Sequence, residues 1–331
     1  MDLDAYVAAR SRYWGRLEEL SNRRRLTGAE GDELLDLYQR VSTDLSVVRS
    51  AAPDPSVVSY LSMLLTRARV SMVSTRTTTW ADLVGFFTRT FPAALYRTRW
   101  WWVSTALTSV LVIALIAAWT LRHPEVYTAQ LTPAEIDAYV GTDFAHYYRE
   151  FPHHEFATLV WVNNAWVAAQ CIALGVLGLP VLYLLFTNVA NVGVVAALMM
   201  GHDRTSLFFG LILPHGLLEL TAVFVAGAVG LRLFWSWVEP GPRTRLQAFA
   251  AEGRTAVAIA VGLVAVLLVS GAIEGFVTPS GLPTWARIGI GVVAESAFLV
   301  YVFVVGRRAH LHGVTGDVEA RDVGDHDIVA A

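Results

Sequence analysis

Apolar residues along this chain fall into two regimes, and the change comes near residue 100. Before it, apolar positions recur at helical spacing among charges. Leu34, Leu37, Val41, Leu45 and Val48 step by three and four, which lines one face of a helix. Thr27-Gly28-Ala29-Glu30, just ahead, fits a capping box that satisfies free N–H groups at a helix start. A preceding helix near 3–22 carries Tyr6, Tyr13, Trp14, Leu17 and Leu20. A third, near 55–78, carries Val57, Leu61, Leu64, Leu65 and Met72. Three amphipathic helices in one short stretch predict a small antiparallel bundle over 1–79. Residues 80–100 differ. Leu83, Phe86, Phe87, Phe91, Leu95 and Tyr96 make an apolar side with Arg89, Arg97 and Arg99 opposite, which predicts a segment lying in a membrane interface, against the alternative of a fourth bundle helix.

After residue 100 the runs are long enough to span a bilayer, which takes about 20 mostly apolar residues. The first, about 101–121, opens with Trp101 and Trp102 behind Arg97 and Arg99, as at an aromatic belt. The stretch 156–201 is twice one span and divides at Leu177-Gly178-Leu179-Pro180, giving spans near 157–178 and 180–200. Residues 206–238 exceed one untilted span. Pro214-His215-Gly216 predicts a break, with a half-helix before it and a full span after. Two further spans are expected at about 255–277 and 287–306, followed by a disordered tail over 307–331. The expected fold is all-α: a polytopic membrane domain over 101–306 with six crossings, behind a helical front end.

Charge sets an orientation. Every basic residue is Arg, and more than half of the 25 lie before position 100. With both termini in the cytoplasm, the front end, the polar loop 239–254 and Arg307-Arg308 all fall inside, in line with the positive-inside bias. The polar, Arg-rich first 99 residues give no secretory signal. The expected location is the cell membrane, crossed several times. The net charge of −3 argues against a nucleic-acid partner. Lone Cys171 sits in an apolar run and reads as packing.

Ionisable and amide groups inside spans need partners or water. The set is Asn163, Asn164, Asn188, Asn191, His215, Glu219, Glu274 and Glu295. His215 and Glu219 lie one helical turn apart on one face, and so, three apart, do Asn188 and Asn191. Glu274 is placed at the outer interface, half-buried, and Glu295 in mid-span. Two readings compete. The polar groups fix helix packing by hydrogen bonds, or a broken helix and buried acids make an ion or substrate site. Packing is the favoured reading. Arg232 is expected to snorkel toward the inner surface.

No G-x-x-x-x-G-K-[ST] string, G-x-S-x-G elbow or H-E-x-x-H pair occurs. His153-His154-Glu155 is a poor metal cluster, because consecutive helical residues do not face one another. The expectation is therefore no enzyme, no cofactor and no metal.

Several motifs together resemble the stage II sporulation protein M family, SpoIIM, also called DUF95. They are Asn163-Asn164, Asn188-x-x-Asn191-x-Gly193, Pro214-His215-Gly216-x-x-Glu219, and Glu274-Gly275-Phe276 with Thr278-Pro279. Trp14 with Leu17, Tyr38 before Asp44-Leu45, and Phe91-Pro92 add to the likeness, which covers about 1–308. The resemblance implies a polytopic cytoplasmic-membrane protein. In spore formers the family member works with proteins D and P, which cut peptidoglycan during engulfment, and is thought to anchor that complex. Relatives also occur in bacteria and archaea that never sporulate. In actinobacteria they tend to sit near RDD-family membrane proteins and MoxR-type ATPases. The long Arg-rich front end departs from the sporulation members. The leading expectation is a non-enzymatic scaffold or anchor with protein partners in the membrane or cytoplasm, possible as a homo-oligomer. The alternative is a channel or transporter with its site at the fourth span.

Overall fold

The computed structural model describes residues 3–23, 26–51, 53–74, 80–146 and 153–316. Among them the chain is helical throughout, without a strand. Contacts divide it into two compact units, before and after the Leu83–Val84 junction.

The first unit packs α1 (Leu3–Ser21), α2 (Gly28–Ala51) and α3 (Pro55–Ser74) around one apolar core. Trp14, Leu17 and Leu20 of α1 meet Leu34, Leu37, Val41 and Val48 of α2 and Leu61, Leu64 and Leu65 of α3. These are the positions at helical spacing, so the pattern carries the fold directly. Glu30 closes its capping box on the Thr27 amide at 2.8 Å. One acid lies inside. Asp44 is 2% exposed and accepts from the Tyr6 hydroxyl (2.7 Å), Trp14 Nε1 (2.9 Å) and Arg10 (3.2 Å). A carboxylate with three donors is an affordable buried charge.

The second unit begins within α4 (Trp80–Gly85), which a π-helical turn joins to α5 (Phe91–Arg97). Phe91, Ala93, Ala94 and Leu95 are at most 1% exposed. Of the apolar side expected to lie along an interface, Phe91 and Leu95 are turned into protein, in a helix packed against α13 and the turn Tyr301–Gly306, and Leu83 is 40% exposed. Among the described residues, six helices of this unit are long and apolar enough to cross a membrane. They are α6 (Arg99–Arg122), α10 (His153–Ala173), α11 (Leu179–Gly201), α12 (Thr205–Val238), α13 (Arg245–Ala272) and α14 (Thr284–Val300). Short helices α7 (Glu125–Thr128), α8 (Pro133–Ala138) and α9 (Phe144–His146) fill the connection after α6, and α15 (Arg307–Leu311) follows α14.

Helix α12 is the hub, packed against α6, α10, α11, α13 and α14. Its run Ala226-Gly227-Ala228-Val229-Gly230 is buried, since small residues let helices come close without lipid between them. At Gly230 the approach is backbone to backbone: a Cβ there would collide with the Cys171 carbonyl, and one on Gly175 would come within 2.8 Å of Gly230 Cα.

Four expectations need correction. The fourth span is not broken at Pro214-Gly216. It is one 34-residue helix with Pro214 inside. A proline there removes an amide donor and crowds the preceding turn, but neighbouring helices can support the altered backbone. Here α14 presses against it: a Cβ on Gly291 would fall 2.5 Å from the Pro214 carbonyl oxygen. Second, the polar loop 239–254 shrinks to 239–244, because Thr244 and Gln247 form a capping box and α13 starts at Arg245. A search for apolar runs misses a polar first turn. Third, Arg232 ends on a protein partner that the sequence did not show. It donates to Glu252 at 2.8 and 3.1 Å, and Arg97 joins the same carboxylate at 2.9 Å. Fourth, the tail expected to be disordered starts as helix α15, with a Tyr96–His310 ring contact at 5.6 Å and Gly316 buried against Ala94. Residues 317–331 of that expectation lie outside the described residues.

Candidate intramembrane polar cavity

Seven of the eight polar residues singled out from sequence line one cavity of about 690 Å³. Asn163 and Asn164 come from α10, Asn188 and Asn191 from α11, and His215 and Glu219 from α12. Glu274 comes from the π-helical turn Ile273–Val277 that ends α13. Such turns recur at functional sites. Thr187 adds a hydroxyl, and Phe156, Val160, Val167 and Ile212 add apolar wall. Asn163, Thr187 and Asn191 are exposed, whereas His215 and Glu274 are each 4% exposed. The cavity therefore runs from amide and hydroxyl groups at its mouth to ionisable groups at its floor.

The floor is ordered by hydrogen bonds. His215 Nδ1 lies 3.2 Å from Thr278 Oγ1. With the one Thr278 hydroxyl proton given to the Ile273 carbonyl, 3.4 Å away, Thr278 accepts and Nδ1–H donates. That tautomer leaves a lone pair on Nε2, which faces Glu274 Oε1 across 3.7 Å. The Ser270 hydroxyl lies 3.1 Å from the His215 carbonyl and 3.4 Å from Glu219 Oε2. Asn164 donates to the Val160 carbonyl at 3.2 Å. Glu274 Oε2 is buried with no hydrogen-bond partner among the described residues.

Two placements differ from expectation. Glu274, expected half-buried, is buried at 4% exposure in the π-turn. Glu295 stands apart from the cavity, where it accepts from the Thr221 hydroxyl at 3.1 Å. Sequence reasoning also missed Ser270, which nothing in its local pattern distinguishes from a packing serine.

A potential metal-ligand set emerges where sequence spacing shows none. One ligand-capable atom from each of His215, Glu219 and Glu274 lies within 4.8 Å of the others. Glu274 is far from the other two along the chain, so local spacing could not reveal the trio.

The family model of SpoIIM, stage II sporulation protein M, matches residues 106–279, more than half of the chain. The chain belongs to the SpoIIM family. The SpoIIM match takes in every lining residue of the cavity and its supports Ser270 and Thr278, and it leaves out Glu295. Residues 4–74 match a second model, a domain of unknown function (DUF8413). Neither the curated proteins nor the solved structures give a match.

Proposed function

We propose that this SpoIIM-family protein is a non-enzymatic protein of the cell membrane that binds a small ion or polar solute in the cavity, as a channel or transporter does. The observation that supports this most is the convergence of His215, Glu219, Glu274 and four asparagines on one open volume. Packing by polar groups calls for direct contacts between them, because an unpaired polar group in lipid is costly. Here Glu274, a lining residue, keeps one buried carboxylate oxygen without a hydrogen bond among the described residues. A cavity built at the meeting of several spans is where transporters hold their cargo. The distribution of Arg supports placing both termini in the cytoplasm.

The scaffold or anchor reading draws its support from the first unit. That unit has its own core and its own domain match over 4–74, and it presents Leu35, Met63 and Val70 at 50–60% exposure for a protein partner. A transporter with a docking domain accommodates both.

Flux through proteoliposomes of the purified full chain tests the transport reading. Cation or proton flux above empty liposomes is expected, at least tenfold lower for Glu219→Gln. Absence of flux across ions and pH, with Glu219→Gln changing only stability, overturns it and leaves the scaffold.

A further inference from the structure

The floor of the cavity gathers three acceptors that face one another. With Nδ1–H given to Thr278, His215 presents the Nε2 lone pair, and both carboxylates are acceptors when ionised. Among the described contacts, Arg97 and Arg232 bond Glu252, and Arg287 donates to the Thr278 carbonyl at 2.6 Å. Two carboxylates and an imidazole lone pair in a membrane interior call for a cation between them.

We infer that His215 Nε2, Glu219 and Glu274 bind a divalent transition-metal cation of the zinc or manganese class at the floor of the cavity. This deepens the proposed function and rests on the same cavity being reachable. Distances suit it. Bonds of about 2.1 Å at tetrahedral angles set ligand atoms about 3.4 Å apart. His215 Nε2 and Glu274 Oε1 stand at 3.7 Å, and the whole trio lies within 4.8 Å, so modest side-chain closure completes the site. The unpartnered oxygen is the second sign: Glu274 is 4% exposed, and its Oε2 has no hydrogen bond among the described residues. The support behind the ligands is the third. A metal-bound His fixes its other ring nitrogen on an acceptor, which is what Thr278 provides, and the Ser270 hydroxyl reaches toward Glu219. Imidazole with carboxylates and no thiolate favours zinc or manganese over magnesium and calcium, which prefer all-oxygen cages. Three protein ligands leave a coordination position open to the cavity and its asparagines.

The test is equilibrium binding of Zn²⁺ and Mn²⁺ to the metal-stripped full chain in detergent micelles, by calorimetry and by metal analysis after dialysis. Cobalt absorption provides a ligand-sensitive check. The expectation is one ion per chain, at least tenfold weaker binding in Glu274→Gln and in Glu219→Gln, binding within twofold of wild type in Glu295→Gln, and no displacement by excess Mg²⁺. Each variant is first shown to be monodisperse. If one fails to fold, the other carries the comparison, and the cobalt spectrum of the wild type must show mixed nitrogen and oxygen ligation. Sub-stoichiometric binding, or equal weakening in Glu295→Gln and Glu274→Gln, overturns the site. Flux without stoichiometric metal binding overturns the metal and keeps the transport reading, and metal binding without flux does the reverse.

Discussion

His215 and Glu274 come from elements far apart in the chain, yet Nε2 and Oε1 lie 3.7 Å apart at the floor of a polar cavity. The Thr278 hydroxyl on the other ring nitrogen holds the imidazole in that direction. Thr278→Val keeps the shape and removes the acceptor. Zn²⁺ binding is expected to weaken about tenfold, the lower end of what loss of a supporting group costs a metal site, and the metal-free protein to lose about 1–3 kcal/mol for the buried donor left unpaired. Calorimetry alongside a fluorescence melt separates the two effects.

Close backbone approach sets a second expectation. Gly230→Ala forces α12 away from the Cys171 carbonyl, and overpacking of this kind costs about 1–3 kcal/mol. Gly253→Ala is its control, since nothing lies within 4 Å of a Cβ there. A helical Gly→Ala change at an open site is neutral or stabilising by about 0.5–1 kcal/mol. Thermal melts in detergent should fall for Gly230→Ala and hold or rise for Gly253→Ala.

In the first unit, Asp44→Ala strips the acceptor from Trp14 Nε1 and Tyr6. A buried donor left unpaired costs about 2 kcal/mol, roughly thirtyfold in local opening. Hydrogen exchange of peptides from α1 and α2 in the full chain should speed up accordingly, with the peptides of α12 unaffected.

Acid should loosen the same unit. Arg16 bonds hold Glu19 and Glu33 below the ordinary carboxylate value, and the Thr27 backbone and hydroxyl do so for Glu30. A lowered carboxylate pKa contributes stability that is present above the unfolded value, 4.5, and is lost as pH falls through the folded one. Protection of α1 and α2 is therefore expected to fall below about pH 4.5. Arg16→Gln should flatten that dependence when both proteins are compared at each pH, which cancels intrinsic exchange rates. These residues are exposed, so the effect is small and shrinks with salt.

The shared Arg97–Glu252–Arg232 contact gives a fifth expectation. Glu252→Gln replaces a charged acceptor of two guanidinium groups by a neutral one, a loss of about 2 kcal/mol. A lower melting temperature with unchanged Zn²⁺ binding is the expected pair of results.

Much of this architecture is written in local pattern. Helical spacing in Leu34 to Val48 and apolar length from residue 100 onward find the first bundle and the six long helices, because burial of a face or immersion in lipid acts on short windows. Proline at 214 misleads, since whether it breaks a helix depends on the helix beside it. Gly291, which lets α14 approach Pro214, lies in a different element. The polar residues of the cavity are legible one by one as costly intramembrane groups. Their grouping is not, because it takes tertiary contact to bring Glu274 to His215 and to leave Glu295 with Thr221. Arg232 likewise looked free until Glu252 lay beside it.

The central claim is that these polar groups line a space water and ions can enter, rather than dry contacts between helices. Cysteine accessibility at Asn188 tests this most directly, since the chain's one native cysteine, Cys171, is buried at 1% exposure and supplies a silent background. In membranes, Asn188→Cys is expected to react with a charged, water-soluble thiol reagent at least tenfold faster than the wild type, and Zn²⁺ at saturating concentration should slow that reaction. Labelling of Asn188→Cys no faster than the wild-type background would contradict the account.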